Sequence, residues 1–389
     1  GSHPRNFDRL MKLSASTALL TLGLWASPWS GGLVFSQRPA HYEHPRAAFD
    51  LASDLFDRAK YGAAQYELDR IIETTRDAHA PTRIEAEYLS AICAVRLFHS
   101  DAPVRLLAFM ADHPEDLHVG AVRFELFRHY FTNKRWKDCL AWAGKVNEED
   151  LRSADLEEFQ FKSGYAHFQE GHTEHAQNAF GKVKDGTGPY AVPAKYYTAH
   201  IDYERGRYAV ALPVFKSLEN DPAFGKIVPF YIAEIEFMQG HYDEVIAYTK
   251  PLLEDPEGTK RIGDINRLAG ESYYRTGRYA EAVPYLEKAI ARGAGVGRTE
   301  RYQLGHAYYK AGDHQKALTQ LTLVNTEEDS LSQLAVYHMA DCYLALKEKN
   351  YARNAFKRAY ELGFDAKVTE DALFNYAKLA YELSFDPYS

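Results

Sequence analysis

From about residue 45 onward, apolar residues recur three and four apart, the spacing of one face of an α-helix. No stretch shows the apolar–polar alternation of a strand. Breaks bearing Gly or Pro interrupt the pattern every 12–18 residues. Helices that short are marginal alone and draw their stability from packing an apolar face on neighbours. The clearest segment is LAGESYYRTGRYAEAVPYLEKAI, ending at Ile290, and QLGHAYYKAGDHQKALTQL, ending at Leu321, follows it. Both carry a small residue on a first helix, an aromatic three residues later, Gly in a turn and Ala on a second helix.

The small first-helix residue recurs at Gly164, Ala199, Ala233, Gly270, Gly305, Ala340 and Ala377, in steps of 34 to 37 residues. A second anchor, the small residue of the following helix, recurs at Cys139, Ala176, Ala211, Val245, Ala282, Ala317 and Ala352, with steps in the same range. Two independent series with one period establish a repeat. The physical reason for the anchors is close helix crossing, which needs a small side chain where the axes approach. Glycines at 171, 206, 240, 277 and 312 supply the left-handed residue that ends the first helix of a pair. The first third is more diverged. Residues 60–72 match a second helix with Ala64 as its small residue, 86–110 read as a weaker repeat, and 122–146 as a third, in which Phe127 stands where a small residue is expected. About nine repeats result, plus the opening helix of a tenth from Val368 to about Leu383. That helix carries Phe374, Tyr376, Tyr381 and Phe385 where a polar cap is expected, which reads as a chain truncated at its C-terminal end.

These motifs resemble the tetratricopeptide repeat (TPR), closely in the C-terminal two thirds. The resemblance implies an all-α, right-handed superhelical solenoid over nearly all of residues 45–389. It also implies that ligands lie along a concave surface formed by the second, fifth, ninth, twelfth and thirteenth positions of each first helix. With the small residue as position eight, the fifth and twelfth positions are Tyr196 and Tyr203, Phe230 and Phe237, Arg267 and Tyr274, Tyr302 and Tyr309, Tyr337 and Leu344, and Phe374 and Tyr381. The ninth is His200, Glu234, Glu271, His306 and Asp341, and Arg275 and Lys310 add charge beside them. The predicted wall is a ladder of aromatics broken by charges, the residue types that protein-binding hot spots favour. The alternative for these rings is ordinary packing between neighbouring helices. Carboxylate-clamp TPRs of chaperone cofactors carry Lys and Asn at the fifth and ninth positions. Here aromatics and His, Glu or Asp stand there, so no chaperone carboxylate-clamp ligand is expected.

The N-terminal end changes the picture of where the chain works. From Met11 one Lys precedes an apolar stretch to about Trp25, then turn and small residues ending Val34-Phe35-Ser36. This is the pattern of a cleavable signal peptide, with the mature chain opening at Gln37. An uncleaved, membrane-tethering leader is the alternative, against which Pro28, Gly31 and Gly32 interrupt the stretch short of the ~20 residues that span a bilayer. The organisation is thus 1–36 leader (1–10 a remnant or over-extended start, 11–36 signal), 37–45 a tail, 46–150 diverged repeats and 151–389 regular repeats. An exported array of Tyr-rich repeats looks like the long periplasmic TPR proteins of Bacteroidota. That resemblance implies scaffolds for envelope assembly, outer-membrane biogenesis or secretion, touching the membrane only indirectly.

Composition narrows the rest. The chain has 28 Tyr and 21 Phe but 4 Met, as a recurring aromatic position demands. A net charge of −8 argues against a nucleic-acid partner. Cys93, Cys139 and Cys342 are far apart in apolar helical surroundings and read as small buried hydrophobes, with neither a disulfide framework nor a zinc site. GAGVGR (293–298) follows a helix rather than a strand, so it reads as an inter-repeat connection and not a nucleotide loop. His172, Glu174 and His175 form HTEH around a turn, and His41 and His44 lie in the tail; both read as solvated polar positions rather than metal ligands. The expectation is a non-enzymatic scaffold without cofactor or metal that binds other proteins. Two alternatives remain open, a regulatory subunit of a cell-wall enzyme and a glycan- or peptidoglycan-binding solenoid.

Overall fold

The computed structural model describes residues 45–255, 258–294 and 297–384. The leader, His41, His44 and Phe385 lie outside these residues. Nineteen α-helices follow one another among the described residues. They are α1 (Pro45–Asp57), α2 (Tyr61–Thr74), α3 (Pro81–Arg96), α4 (Ala102–Asp112), α5 (Val119–Thr132), α6 (Trp136–Ala143), α7 (Ser153–Gln169), α8 (Thr173–Gly181), α9 (Ala191–Glu204) and α10 (Tyr208–Ser217). Then come α11 (Val228–Met238), α12 (Tyr242–Glu254), α13 (Ile262–Arg275), α14 (Tyr279–Ala291), α15 (Arg298–Ala311), α16 (His314–Thr322), α17 (Ser330–Ala345), α18 (Lys349–Leu362) and α19 (Ala366–Ser384). No strand occurs among the described residues. Nine turns of one geometry separate odd from even helices, and α19 follows alone, as the period predicts.

The chain forms two compact units, one through Ile201 and one from Asp202. In the first unit the odd helices α1, α3, α5 and α7 stack on one another in that order, and each of the first seven helices packs on the next. In the second unit α11, α13, α15, α17 and α19 do the same. Within these two series each first helix touches the next first helix and the second helix that follows it, the arrangement of tetratricopeptide repeats.

One local device closes every pair. A residue in the left-handed region stands at Gly171, Gly206, Gly240, Gly277 and Gly312, with φ from 72° to 86°. The same conformation is held without glycine at Ala59, Phe98, Lys134 and Lys347, with φ from 57° to 67°. In each turn the left-handed residue donates its N–H to the carbonyl three back. The next residue donates to the carbonyl five back, as Gly277 to Tyr274 and Arg278 to Tyr273. These bonds satisfy carbonyls that the helix end leaves open. Each left-handed residue lies seven after the small position, which places Ala52, Ala91 and Phe127 in register with Gly164 and the rest.

The small positions are where the two helices of a pair meet. A Cβ placed on Gly270 would lie 2.8 Å from Cγ and Cδ2 of Leu286, one on Gly305 2.8 Å from Cγ of Leu321, and one on Gly164 2.9 Å from Cδ1 of Phe180. The partner always stands sixteen residues on. The second-helix anchors from Cys139 to Ala352 are fully buried. Phe127 keeps the register but not the size. Its ring packs 5.0 Å from Phe159 and 5.9 Å from Phe124, in a core around Cys139. Cys93, Cys139 and Cys342 are buried thiols, as their surroundings predicted, and burial pushes them up to about 11, 12 and 12. Of GAGVGR, Gly293 is left-handed at φ 73° just after α14, and Arg298 opens α15.

A non-glycine residue in the left-handed region costs about 1–2 kcal/mol, part of which glycine returns through its looser unfolded chain. Replacing Lys347 by Gly should therefore stabilise the protein by about 0.5–1 kcal/mol, and Gly240→Ala should destabilise it by a similar amount. Thermal unfolding reads both; equal melting temperatures for wild type, K347G and G240A would contradict the assignment of these turns.

Candidate functional site

The predicted ladder lies on the first helices, and the structure divides it. Tyr196 and Phe230, at the fifth position, are about 1% exposed and belong to the core, where the Arg261 guanidinium lies 3.4 Å from the Phe230 ring centroid. In the first unit Tyr196 stands 6.0 Å from His200, and Phe168 meets His200 edge-on at 5.7 Å. In the second unit Tyr203, Phe237, Tyr274, Tyr302, Tyr309 and Tyr337 are half-buried, with Arg275 and Lys310 exposed among them.

Three twelfth-position tyrosines, Tyr203, Tyr274 and Tyr309, share one role that the sequence pattern concealed. Each points its hydroxyl at the ninth-position residue of the next repeat. The Tyr203 hydroxyl donates to Oε2 of Glu234 at 2.5 Å, that of Tyr274 to Nδ1 of His306 at 2.9 Å, and that of Tyr309 to Oδ2 of Asp341 at 3.2 Å. Where the series places Phe237, the next ninth-position residue, Glu271, has no such donor. There the guanidinium of Arg267, one turn earlier on α13, donates to Oε1 of Glu271 at 2.9 Å. A lost hydroxyl is thus replaced by a cation from the fifth position, as a largely buried carboxylate requires. Tyr337, at the fifth position, donates to Asp371 at the second position of α19, the same relation seven positions earlier on both helices.

At the centre of this file His306 is nearly enclosed. Tyr302 stacks on it at 5.8 Å with rings 9° apart, His338 lies 4.7 Å away, and the edge of Tyr279 meets it at 5.4 Å. Burial, then the neighbouring His338 and Lys310, push His306 down to about 4, so the ring is neutral at pH 7. A neutral ring accepting at Nδ1 carries its proton on Nε2. Burial lifts Tyr274 to about 12, and burial with Asp341 lifts Tyr309 to about 12, so both hydroxyls stay protonated donors.

The first unit builds its first-helix face from charge. Arg96 on α3 forms two hydrogen bonds to Glu125 on α5, at 2.9 and 3.1 Å. Arg128 donates to Glu125 at 2.8 Å, to Glu158 on α7 at 2.6 and 2.9 Å and to Asp155 at 2.8 Å, and Lys162 reaches Glu158 at 2.5 Å. Burial alone would raise Glu158, but the bonds from Arg128 and Lys162 outweigh it and hold it below its ordinary range. This file borders a cleft of about 680 Å³, with Phe98, His99, His129 and Asn133 at its walls. Arg96, Arg128 and Glu158 occupy the thirteenth, ninth and second positions once Phe98 and Lys134 fix the register. Sequence reasoning missed Arg96 and Arg128 because the diverged first repeats, with Phe127 at a small position, obscured that register.

His167 joins His172 and His175 around the Gly171 turn, with ring centroids 5.0 to 6.2 Å apart. Among the described residues, no group of three or more His, Cys, Asp or Glu is arranged to hold a metal ion, and no helix is long and apolar enough to cross a membrane. What the two faces offer chemically is ring edges, hydroxyls and paired charges on rigid helices.

Residues 267–292 match the tetratricopeptide repeat family model. No curated protein matches the chain in sequence. Among solved structures it is similar to a tetratricopeptide repeat protein from Parabacteroides merdae, with 14% identity over 68% of this chain and 98% of that one, TM-score 0.39. It is also similar to the TPR domain of P58(IPK), with 14% identity over 88% of this chain and 99% of that one, TM-score 0.28. A third likeness is to the APC/C hetero-tetramer Cut9–Hcn1, with 12% identity over 85% and 84% of the two chains, TM-score 0.35. At these identities and scores none of the three says what this chain binds.

The environment of His306 makes stability depend on pH. Its folded value, about 4, lies below the ordinary 6.5, so the unfolded chain binds the proton more readily. Its contribution is complete above pH 6.5 and is lost as pH falls toward 4. The melting temperature of wild type should drop more over that interval than that of His306→Gln, which keeps an acceptor for Tyr274. Parallel curves would contradict a buried neutral His306.

Proposed function

We propose that this solenoid of tetratricopeptide repeats is a non-enzymatic scaffold of the cell envelope that binds segments of other proteins along its first-helix faces. The observation that carries the reading is the rigid, partly exposed file of the second unit. Tyr203, Tyr274 and Tyr309 are held by their hydroxyls, while Phe237 is partly exposed and Arg275 and Lys310 are exposed beside them. Preordered aromatic edges flanked by cations lose little entropy on binding, the condition under which a modest surface gains affinity. The apolar stretch after Met11 supports export to the periplasm, and with it partners among envelope or secretion components.

Affinity capture against envelope extract tests this, comparing wild type with Phe237→Ser/Arg275→Glu/Lys310→Glu. None of the three makes a tyrosine hydroxyl bond, so the variant should remain folded, which a melting curve checks before capture. The reading predicts a set of envelope proteins retained by wild type and depleted about tenfold or more by the variant. Retention that ignores the substitutions, or no retention at all, would remove this face from the binding function.

A further inference from the structure

Helix α19 differs from every other first helix in what covers it. Ala372, Leu379 and Leu383 are buried on one side, where α19 meets α17 and α18. Among the described residues no other helix packs on the opposite side. At 100° per residue, Lys367, Glu370, Phe374, Ala377, Lys378 and Tyr381 lie within about 60° of one another's mean direction, and all six are exposed. Phe374 is 66% and Tyr381 70% exposed, and Ala377 occupies the position that a second helix buries in the repeats before it. Neither Glu370 nor Lys378 has an ion-pair partner among the described residues.

The order of residues along this stripe is self-complementary. Glu370 and Lys378 stand four residues to either side of Phe374, with opposite charge. Lys367 and Tyr381 stand seven to either side, a cation and an aromatic ring. We propose that a second copy of this chain docks on this face, its α19 running antiparallel to the first about a two-fold axis at Phe374. In that arrangement Phe374 meets its own copy, Glu370 pairs twice with Lys378 of the other chain, and Lys367 lies over the ring of Tyr381. A two-fold axis matches a surface to itself by symmetry, so one stripe supplies both halves of every contact. The contact is about one helix long, below the size of a standard interface, which places association in the micromolar range.

Sedimentation velocity on the 389-residue chain tests the proposal, with four proteins compared: wild type, Glu370→Lys, Lys378→Glu and the double exchange. Wild type should shift with concentration from 44.2 kDa toward twice that mass. Each single exchange creates two like-charge contacts per dimer and should weaken association roughly tenfold. The double exchange restores opposite charges and should return it to near the wild-type value. Phe374→Ser should leave a monomer with an unchanged melting temperature, since the ring touches solvent. A wild-type monomer at every concentration overturns the proposal and leaves the face to a partner helix or to further chain. A dimer that the single exchanges do not weaken, or that the double does not restore, overturns it too, because association then uses another surface.

Discussion

Everything in this fold depends on how closely two helices approach within a pair. At Gly164, Gly270 and Gly305 even a methyl group would fall within about 3 Å of the side chain sixteen residues on. At that separation the aromatic or leucine of the second helix fills the groove of the first and little else fits. The left-handed turn seven residues later is the second half of the constraint, because it sets where the returning helix starts. Side chains along the first helix then face the next pair in fixed order, and ties between repeats become possible.

Those ties explain the abundance of tyrosine better than ligand binding alone. A ring at the twelfth position packs as an apolar body while its hydroxyl satisfies a polar residue one repeat away. One side chain thus supplies both burial and a hydrogen bond, charge-assisted where the acceptor is Glu234 or Asp341. The substitution of Phe237 and the pairing of Arg267 with Glu271 show that the carboxylate must be satisfied and that the donor is interchangeable. The first unit meets the same need with Arg96, Arg128 and Lys162. Both solutions leave a face that is rigid, chemically mixed and partly open, as a protein-binding surface needs.

Much of the architecture was legible because small residues and turn glycines report backbone geometry directly. Gly270 and Gly305 stand where a side chain would collide with the paired helix, and Gly277 where the backbone is left-handed, so their spacing is structure written in residue type. Legibility failed where other residues hold the same geometry. Phe98 and Lys134 adopt the left-handed turn without glycine, and Phe127 fills the small position by shifting into an aromatic core. The charged file of the first unit was hidden for that reason. Within the ladder, period alone could not separate Tyr196 and Phe230, which are core, from Tyr203 and Phe237, which reach the surface. That distinction depends on what the next helix covers.

The closest test of this account is amide hydrogen exchange on Gly270→Val. Two added methyl groups at a position already 2.8 Å from Leu286 should cost about 1–3 kcal/mol by overpacking. The account predicts faster exchange throughout α13 and α14, spreading to α12 and α15 that pack on them, with the first unit unchanged. Protection equal to wild type across α13 and α14 would contradict it, showing that the close approach at the small position is not what holds the pair together.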